Sequence, residues 1–275
     1  MIGVFDSGFG GLTILKSFLK NLPEYDYVYV GDNARSPYGT RSFQTVYRFT
    51  LSGVKALFDS GCHLVILACN TASAKALRTI QQNDLPIIAP EKRVLGVIRP
   101  CVEKITSITN SGSVGILGTP GTVQSESYIM EVAKLNPHIK VYQQACPMWV
   151  PIVENGEEDS PGADYFINKD INSLLAKGMT DGNNIDTVVM GCTHYPLLEY
   201  KIRKYLPENI NLISQGPIVA DSLKNYLLRH PEIEKMCSKN GERQFFTTET
   251  PEHFDRNGSR FLGVEIKSEG LRLES

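Results

Sequence analysis

Residues 188–198 read VVMGCTHYPLL, and residues 63–74 read HLVILACNTASA. Each is an apolar, Val- or Ile-containing run that ends in a small residue and a cysteine, then turns polar and helix-like. Such a run predicts a strand buried on both faces, and the polar turn that follows predicts the step from strand to helix. Working outward, the same unit recurs. Strands are predicted within GVFDSGFGGLTIL (3–15), DYVYVGDN (26–33), LPIIAP (85–90), SVGILGT (113–119), IKVYQQ (139–144) and INLISQG (210–216). Helices are predicted over 43–61, 71–82, around 99–109, around 122–135, 164–179, 197–206 and 220–230. Strands alternating with helices make an α/β fold with largely parallel sheets flanked by helices. The last forty or so residues break the alternation. RQFFTTET (243–250) and FLGVEIKSEG (261–270) are predicted as short strands or loops that close over one edge.

The two halves resemble each other. Gly3 to Leu15 and Gly115 to Tyr128 are both strand, polar turn and helix, and the two cysteine turns form a second matched pair. This predicts two similar, pseudo-two-fold-related domains. Ligands of open α/β sheets bind beyond the carboxyl ends of the strands, where all four matched turns fall, so the active site is expected in the interdomain cleft with a cysteine on each wall.

Composition excludes several classes. Hydrophobic residues are 41% and charged residues 21%, as in an ordinary globular protein. A net charge of -2 without a long basic run argues against a nucleic-acid partner. No apolar stretch approaches the roughly 18 residues of a membrane helix, and MIGVFDSG lacks the basic and apolar regions of a secretory signal. Six cysteines invite a disulfide reading, but a chain of 275 residues can bury a sufficient core without staples. None of the cysteines is spaced as C-x-x-C. Reduced thiols are the expectation, with Cys101, Cys146 and Cys237 as packing residues and no metal role for the adjacent Cys62 and His63.

Gly8-Phe9-Gly10-Gly11 is not a dinucleotide fingerprint, because Thr13 stands where the last glycine is needed. It is either a tight turn or a set of backbone donors for an anion, and Asp6-Ser7 at the strand end favours the second. Pro37-Tyr38-Gly39 is a surface turn or a source of backbone donors and a phenol for a small polar substrate. Cys69 and Cys192 each end a strand ahead of residues able to cap a helix, where the helix dipole favours thiolate. His194 stands two residues after Cys192 as an acid–base partner.

One thiol with a base suggests a thioester-forming nucleophile, and two adjacent thiols suggest a disulfide switch. Two thiols on opposite walls suggest proton transfer at both faces of one carbon. One removes the α-hydrogen of an amino acid, the other protonates the opposite face, and the configuration inverts. Such a site must exclude water and stabilise a carbanion-like state with fixed donors, and Ser7, Asn70, Thr71, Thr119, Thr122 and Thr193 suit that need.

Taken together, GVFDSGFGGLTIL, VGDNARSPYGTRS, ACNTASA, GTPGTV, CPMWVPIVE, GCTHYPLL and PEHFDRNGSRFLG resemble the glutamate racemase family, the cofactor-independent isomerases of the aspartate/glutamate racemase superfamily. The resemblance covers nearly the whole chain. It implies interconversion of L- and D-glutamate for peptidoglycan, in the cytoplasm, by a homodimer using neither pyridoxal phosphate nor metal. It implies Cys69 as the acid–base residue for the D-enantiomer and Cys192 for the L-enantiomer, assisted by Asp6, His194 and Glu154. It implies substrate contacts at Asp6, Ser7, Pro37, Tyr38, Gly39, Asn70, Thr71, Thr119, Thr122, Thr193 and His194. The domains it implies are 1–97 plus 208–275, and 98–207. Asn33, where threonine is common, and Arg99, where an acidic residue is usual, depart from the pattern. An aspartate or other amino-acid racemase, a two-domain binding module and a cysteine hydrolase remain as alternatives.

Overall fold

The structure is a computed structural model and describes residues 1–274. The chain forms two compact units, one of Met1–Val97 with Gly216–Ser275 and one of Ile98–Gln215.

The first unit is built on a parallel sheet of strands β1 (Ile2–Asp6), β2 (Tyr27–Gly31), β3 (Leu64–Leu67), β4 (Arg93–Gly96), β9 (Arg243–Thr247) and β10 (Glu269–Gly270), in the order β10-β9-β2-β1-β3-β4. Every residue of β1, β2 and β3 is buried, which is why these strands read as unbroken apolar runs rather than alternating ones. The second unit carries β5 (Ser113–Gly118), β6 (Lys140–Ala145), β7 (Thr187–Gly191) and β8 (Asn211–Ile213), in the order β6-β5-β7-β8 and again all parallel. Here too the two central strands, β5 and β7, are wholly buried.

The order β2-β1-β3-β4 and the order β6-β5-β7-β8 follow one rule. The first strand is central, the second lies on one side of it, and the third and fourth lie on the other. The crevice between the first and third strands is therefore a topological switch point in each unit. The registers Phe5↔Leu67 and Gly118↔Gly191 place Asp6 and Ser7 near Cys69 in the first unit, and Thr119 near Cys192 in the second.

The structure corrects several expectations. Residues 85–90 are not a strand. The chain passes from helix Leu77–Thr79 through a π-turn at Ile80–Asp84 into a helical turn at Leu85–Ile88, and the edge strand is Arg93–Gly96 instead. Pro86 is the second residue of Leu85–Ile88, directly after the π-turn. The helix expected around 122–135 is two, Pro120–Gln124 and Ser127–Leu135, separated by Glu126 at φ 53°. The chain returns to the first unit at Gly216 rather than at residue 208, because β8 pairs with β7.

Within 243–270, β9 pairs with β2 and β10 pairs with β9, extending the sheet of the first unit. Between them runs a helix, Pro251–Leu262, that was not expected. It buries Phe254, Gly258, Phe261 and Leu262, an i, i+4, i+7, i+8 stripe, and Gly263 at φ 84° ends it. Phe9 stacks on Phe254 and Phe261 at centroid distances of 5.6 and 5.9 Å, which ties this helix to the glycine turn. No helix among the described residues is long and apolar enough to cross a membrane.

Candidate active site

In the first unit the glycine turn follows β1 directly. The Gly8 N–H donates to Asp6 Oδ2 at 2.9 Å, and the Tyr29 hydroxyl donates to the Gly8 carbonyl at 2.8 Å. Gly11 ends the turn and caps helix Leu12–Asn21. Its backbone is not left-handed, so the need for glycine is one of space. A Cβ there would lie 2.6 Å from Asp6 Cβ and 3.0 Å from the Tyr29 hydroxyl. Gly11→Ala is accordingly expected to lower stability by about 1–3 kcal/mol through overpacking and to displace Asp6. Urea denaturation gives the first effect and substrate KM the second. An alanine variant as stable as the parent would remove the steric argument.

Cys69 follows β3 and caps helix Asn70–Lys75. Its sulfur accepts from the Ala72 N–H at 3.4 Å, and Cys69 Sγ and Ser7 Oγ share a hydrogen bond at 3.5 Å. A backbone N–H at a helix start donating to sulfur favours the thiolate. The helix begins at Asn70, with the cysteine itself as the cap. Asn70 and Thr71 are buried in the first turn, so Asp6, Ser7, Cys69, Asn70 and Thr71 form one cluster at the switch point.

Pro37, Tyr38 and Gly39 lie in the loop after β2, and the Ser36–Pro37 peptide is cis. The Tyr38 phenol, expected as a substrate donor, is engaged within the first unit. Tyr38 is 1% exposed, its ring lies against Phe5 and Phe49, and its hydroxyl donates to Asp32 Oδ2. Burial, followed by the charge of Asp32, holds this phenol well above its ordinary pKa.

In the second unit Thr119 caps helix Pro120–Gln124. The Thr122 N–H donates to Thr119 Oγ1 at 3.3 Å, and the two hydroxyls stand 3.1 Å apart. Gly191, immediately before Cys192, also admits no side chain, since a Cβ would meet the Leu117 carbonyl at 2.8 Å. The expectation that the residues after Cys192 cap a helix is corrected. The segment after it is a 3₁₀ turn, Tyr195–Leu198, and the partner of the thiol is an imidazole. Cys192 Sγ lies 3.9 Å from His194 Nδ1, and His194 Nε2 lies 3.0 Å from Glu154 Oε1.

Desolvation of the buried His194 lowers its pKa. The hydrogen bonds to Cys192 and Glu154 outweigh that, and the imidazole is raised to about 10. A buried cation between two acidic partners is the arrangement that makes burial of the charge tolerable. Glu154 ends helix Trp149–Glu154. The Trp149 ring packs on Tyr195 at 4.8 Å, and the Tyr195 hydroxyl donates to the Cys146 carbonyl at 3.3 Å. This aromatic brace fixes the helix carrying Glu154 against the turn carrying His194, and no sequence signal separated it from ordinary core packing.

The other cysteines differ in kind. Burial pushes the Cys62 and Cys101 thiols up to about 12 and Cys237 to about 11, and raises Cys146 as well. All six cysteines are free thiols. Among the described residues no group of three or more His, Cys, Asp or Glu side chains is placed to hold a metal ion.

Fold and site together define a class: an α/β protein with a cysteine at the switch point of each of two parallel sheets. Residues 11–223 match the model of the Asp/Glu/Hydantoin racemase family, and the chain belongs to that family. It is 39% identical over 266 residues to a glutamate racemase of Geobacter metallireducens, covering 96% of this chain and 93% of the relative. The crystal structure of a glutamate racemase isoform from Bacillus anthracis is similar at a TM-score of 0.88 and 34% identity, over 99% of this chain and 97% of the other. That of the glutamate racemase from Francisella tularensis in complex with D-glutamate is similar at 0.85 and 34% identity, over 100% of this chain and 97% of the other.

Proposed function

We propose that the protein is a glutamate racemase that interconverts L- and D-glutamate by proton transfer through Cys69 and Cys192 acting at opposite faces of Cα. The observation that carries this reading is that each strand-end thiol has a partner set of its own, the Ala72 N–H and Ser7 for Cys69 and the His194–Glu154 pair for Cys192. The near-full-length similarity to glutamate racemases supports the choice of substrate.

In the L-to-D direction Cys192, as thiolate beside the His194 imidazolium, removes the α-proton. The Cys69 thiol then delivers a proton to the opposite face, and the roles exchange in reverse. The Cα–H is a very weak acid, so fixed donors must meet the charge that develops on the substrate. Asp6, Ser7, Asn70, Thr71, Thr119, Thr122, Thr193 and the backbone at Pro37, Tyr38 and Gly39 are the groups to which we assign substrate contact. The biological role that follows is supply of D-glutamate for peptidoglycan in the cytoplasm.

The test is incubation with either enantiomer in D₂O, followed by NMR and chiral chromatography. Deuterium at Cα accompanying inversion is expected from both sides. Folded, reduced protein that exchanges neither enantiomer would refute the reading. Inversion of aspartate in preference to glutamate would move the chain to a sister activity.

A further inference from the structure

The carboxylate of Asp32 is fully buried, lies outside the groups assigned to substrate or proton transfer, and is contacted from three places in the sequence. Arg35 Nε donates to both of its oxygens at 3.0 and 2.7 Å, and the Tyr38 hydroxyl donates to Oδ2. The Thr248 hydroxyl, 216 residues away, donates to Oδ1 at 2.9 Å. Thr248 Oγ1 in turn accepts from the Ala34 N–H at 3.0 Å, so it holds the chain on both sides of Asn33. Arg35 is itself constrained, donating to Ser52 Oγ at 3.1 Å with its guanidinium 4.3 Å above the Phe49 ring that packs on Tyr38. At the far side of the loop, Lys75 Nζ donates to the Arg41 carbonyl at 2.8 Å.

A buried carboxylate is costly unless donors converge on it. Here they do, and two of them belong to the loop segment Asn33–Gly39. The Tyr38 hydroxyl is one of the donors that make this anchor. We propose that Asp32 is a positioning residue: it holds the Pro37–Gly39 loop from beneath, with Thr248 as its clasp, so that the loop backbone stands in place before substrate arrives. The inference rests on the assignment of that loop to substrate contact.

A preformed loop contacts substrate and transition state alike, so its loss raises KM more than it lowers kcat. Asp32→Asn is expected to raise the KM for both L- and D-glutamate about tenfold or more, with kcat changed about threefold or less. Thr248→Val should raise KM in the same direction, and Thr248→Ser, which keeps the hydroxyl, should restore it. Amide hydrogen exchange over residues 36–41 should speed up in Asp32→Asn and Thr248→Val but not in Thr248→Ser.

An Asp32→Asn enzyme with unaltered KM and unaltered loop exchange overturns the proposal, as does a serine variant at 248 as impaired as the valine. Should Asp32→Asn fail to fold, Tyr38→Phe and the Thr248 pair carry the same test. A parent protein inert toward glutamate would instead defeat the functional assignment, and the exchange measurement would still decide whether Asp32 holds the loop.

Discussion

Replacing either Cys69 or Cys192 by serine is expected to cut glutamate racemisation by about a thousandfold or more, in line with the loss of a positioned acid–base group. The hydroxyl fills nearly the same space and can still accept the Ala72 N–H or face His194. What it lacks is acidity: a thiol is ionised within reach of neutral pH, whereas an alkyl alcohol is not. The two substitutions therefore test chemistry rather than packing. Cys237→Ala serves as the comparison, because that thiol is held in the protonated form by burial and is assigned no part in the reaction. It should keep its activity within about twofold, as substitutions away from a site do. Rates measured by chiral chromatography on folded protein decide the matter. Either serine variant turning over at nearly the parental rate would strip that sulfur of its role.

The second large effect concerns pH and the His194 relay. His194 is raised from 6.5 to about 10 by its contacts with Cys192 and Glu154. A base whose folded pKa lies above the unfolded value binds its proton more tightly in the native state. Its contribution to stability is whole below pH 6.5 and is lost as pH rises through about 10. The stability difference between the parent and His194→Asn should therefore shrink with rising pH, by on the order of a few kcal/mol across that window. Urea unfolding at pH 6, 8 and 10 measures it.

Activity gives an independent reading of the same group. Glu154→Gln removes the carboxylate that helps hold the proton. We expect the alkaline limb of the kcat profile to move down by about one pH unit and kcat to fall about 10- to 100-fold. A limb that stays in place would show that His194 titration does not govern turnover.

Much of this architecture is written in local pattern. Both-face burial makes β1, β3, β5 and β7 apolar without alternation, and small or polar residues mark where each one stops. The positions of Cys69 and Cys192 at strand ends follow from that alone. Residues 85–90 read as a strand because a short apolar run has no period of its own. Only the continuing helix before it shows that Leu85–Ile88 is one more turn. Helix Pro251–Leu262, by contrast, carried its signals openly, with Pro251 at its start, Gly263 at its end and a four-residue apolar stripe.

The partner of each site group was not legible. The resemblance named His194 and Glu154, but not the chain from sulfur to imidazole to carboxylate, which depends on Trp149 packing on Tyr195. Likewise VGDNARSPYG displays Asp32 and Tyr38 six residues apart, yet nothing local says that the phenol points inward or that residue 248 completes the anchor.

The first unit is assembled from residues 1–97 and 216–275, with the whole of the second unit lying between them in sequence. Synthesis on the ribosome runs from the amino end and domains fold as units. The insert can thus mature while its host still lacks β9, β10 and Thr248. The thiol at residue 69 will already have been made, but the clasp on the neighbouring loop arrives only after the whole insert has been translated, so a nascent chain passes through a stage with a finished inner half and an outer half awaiting its latch.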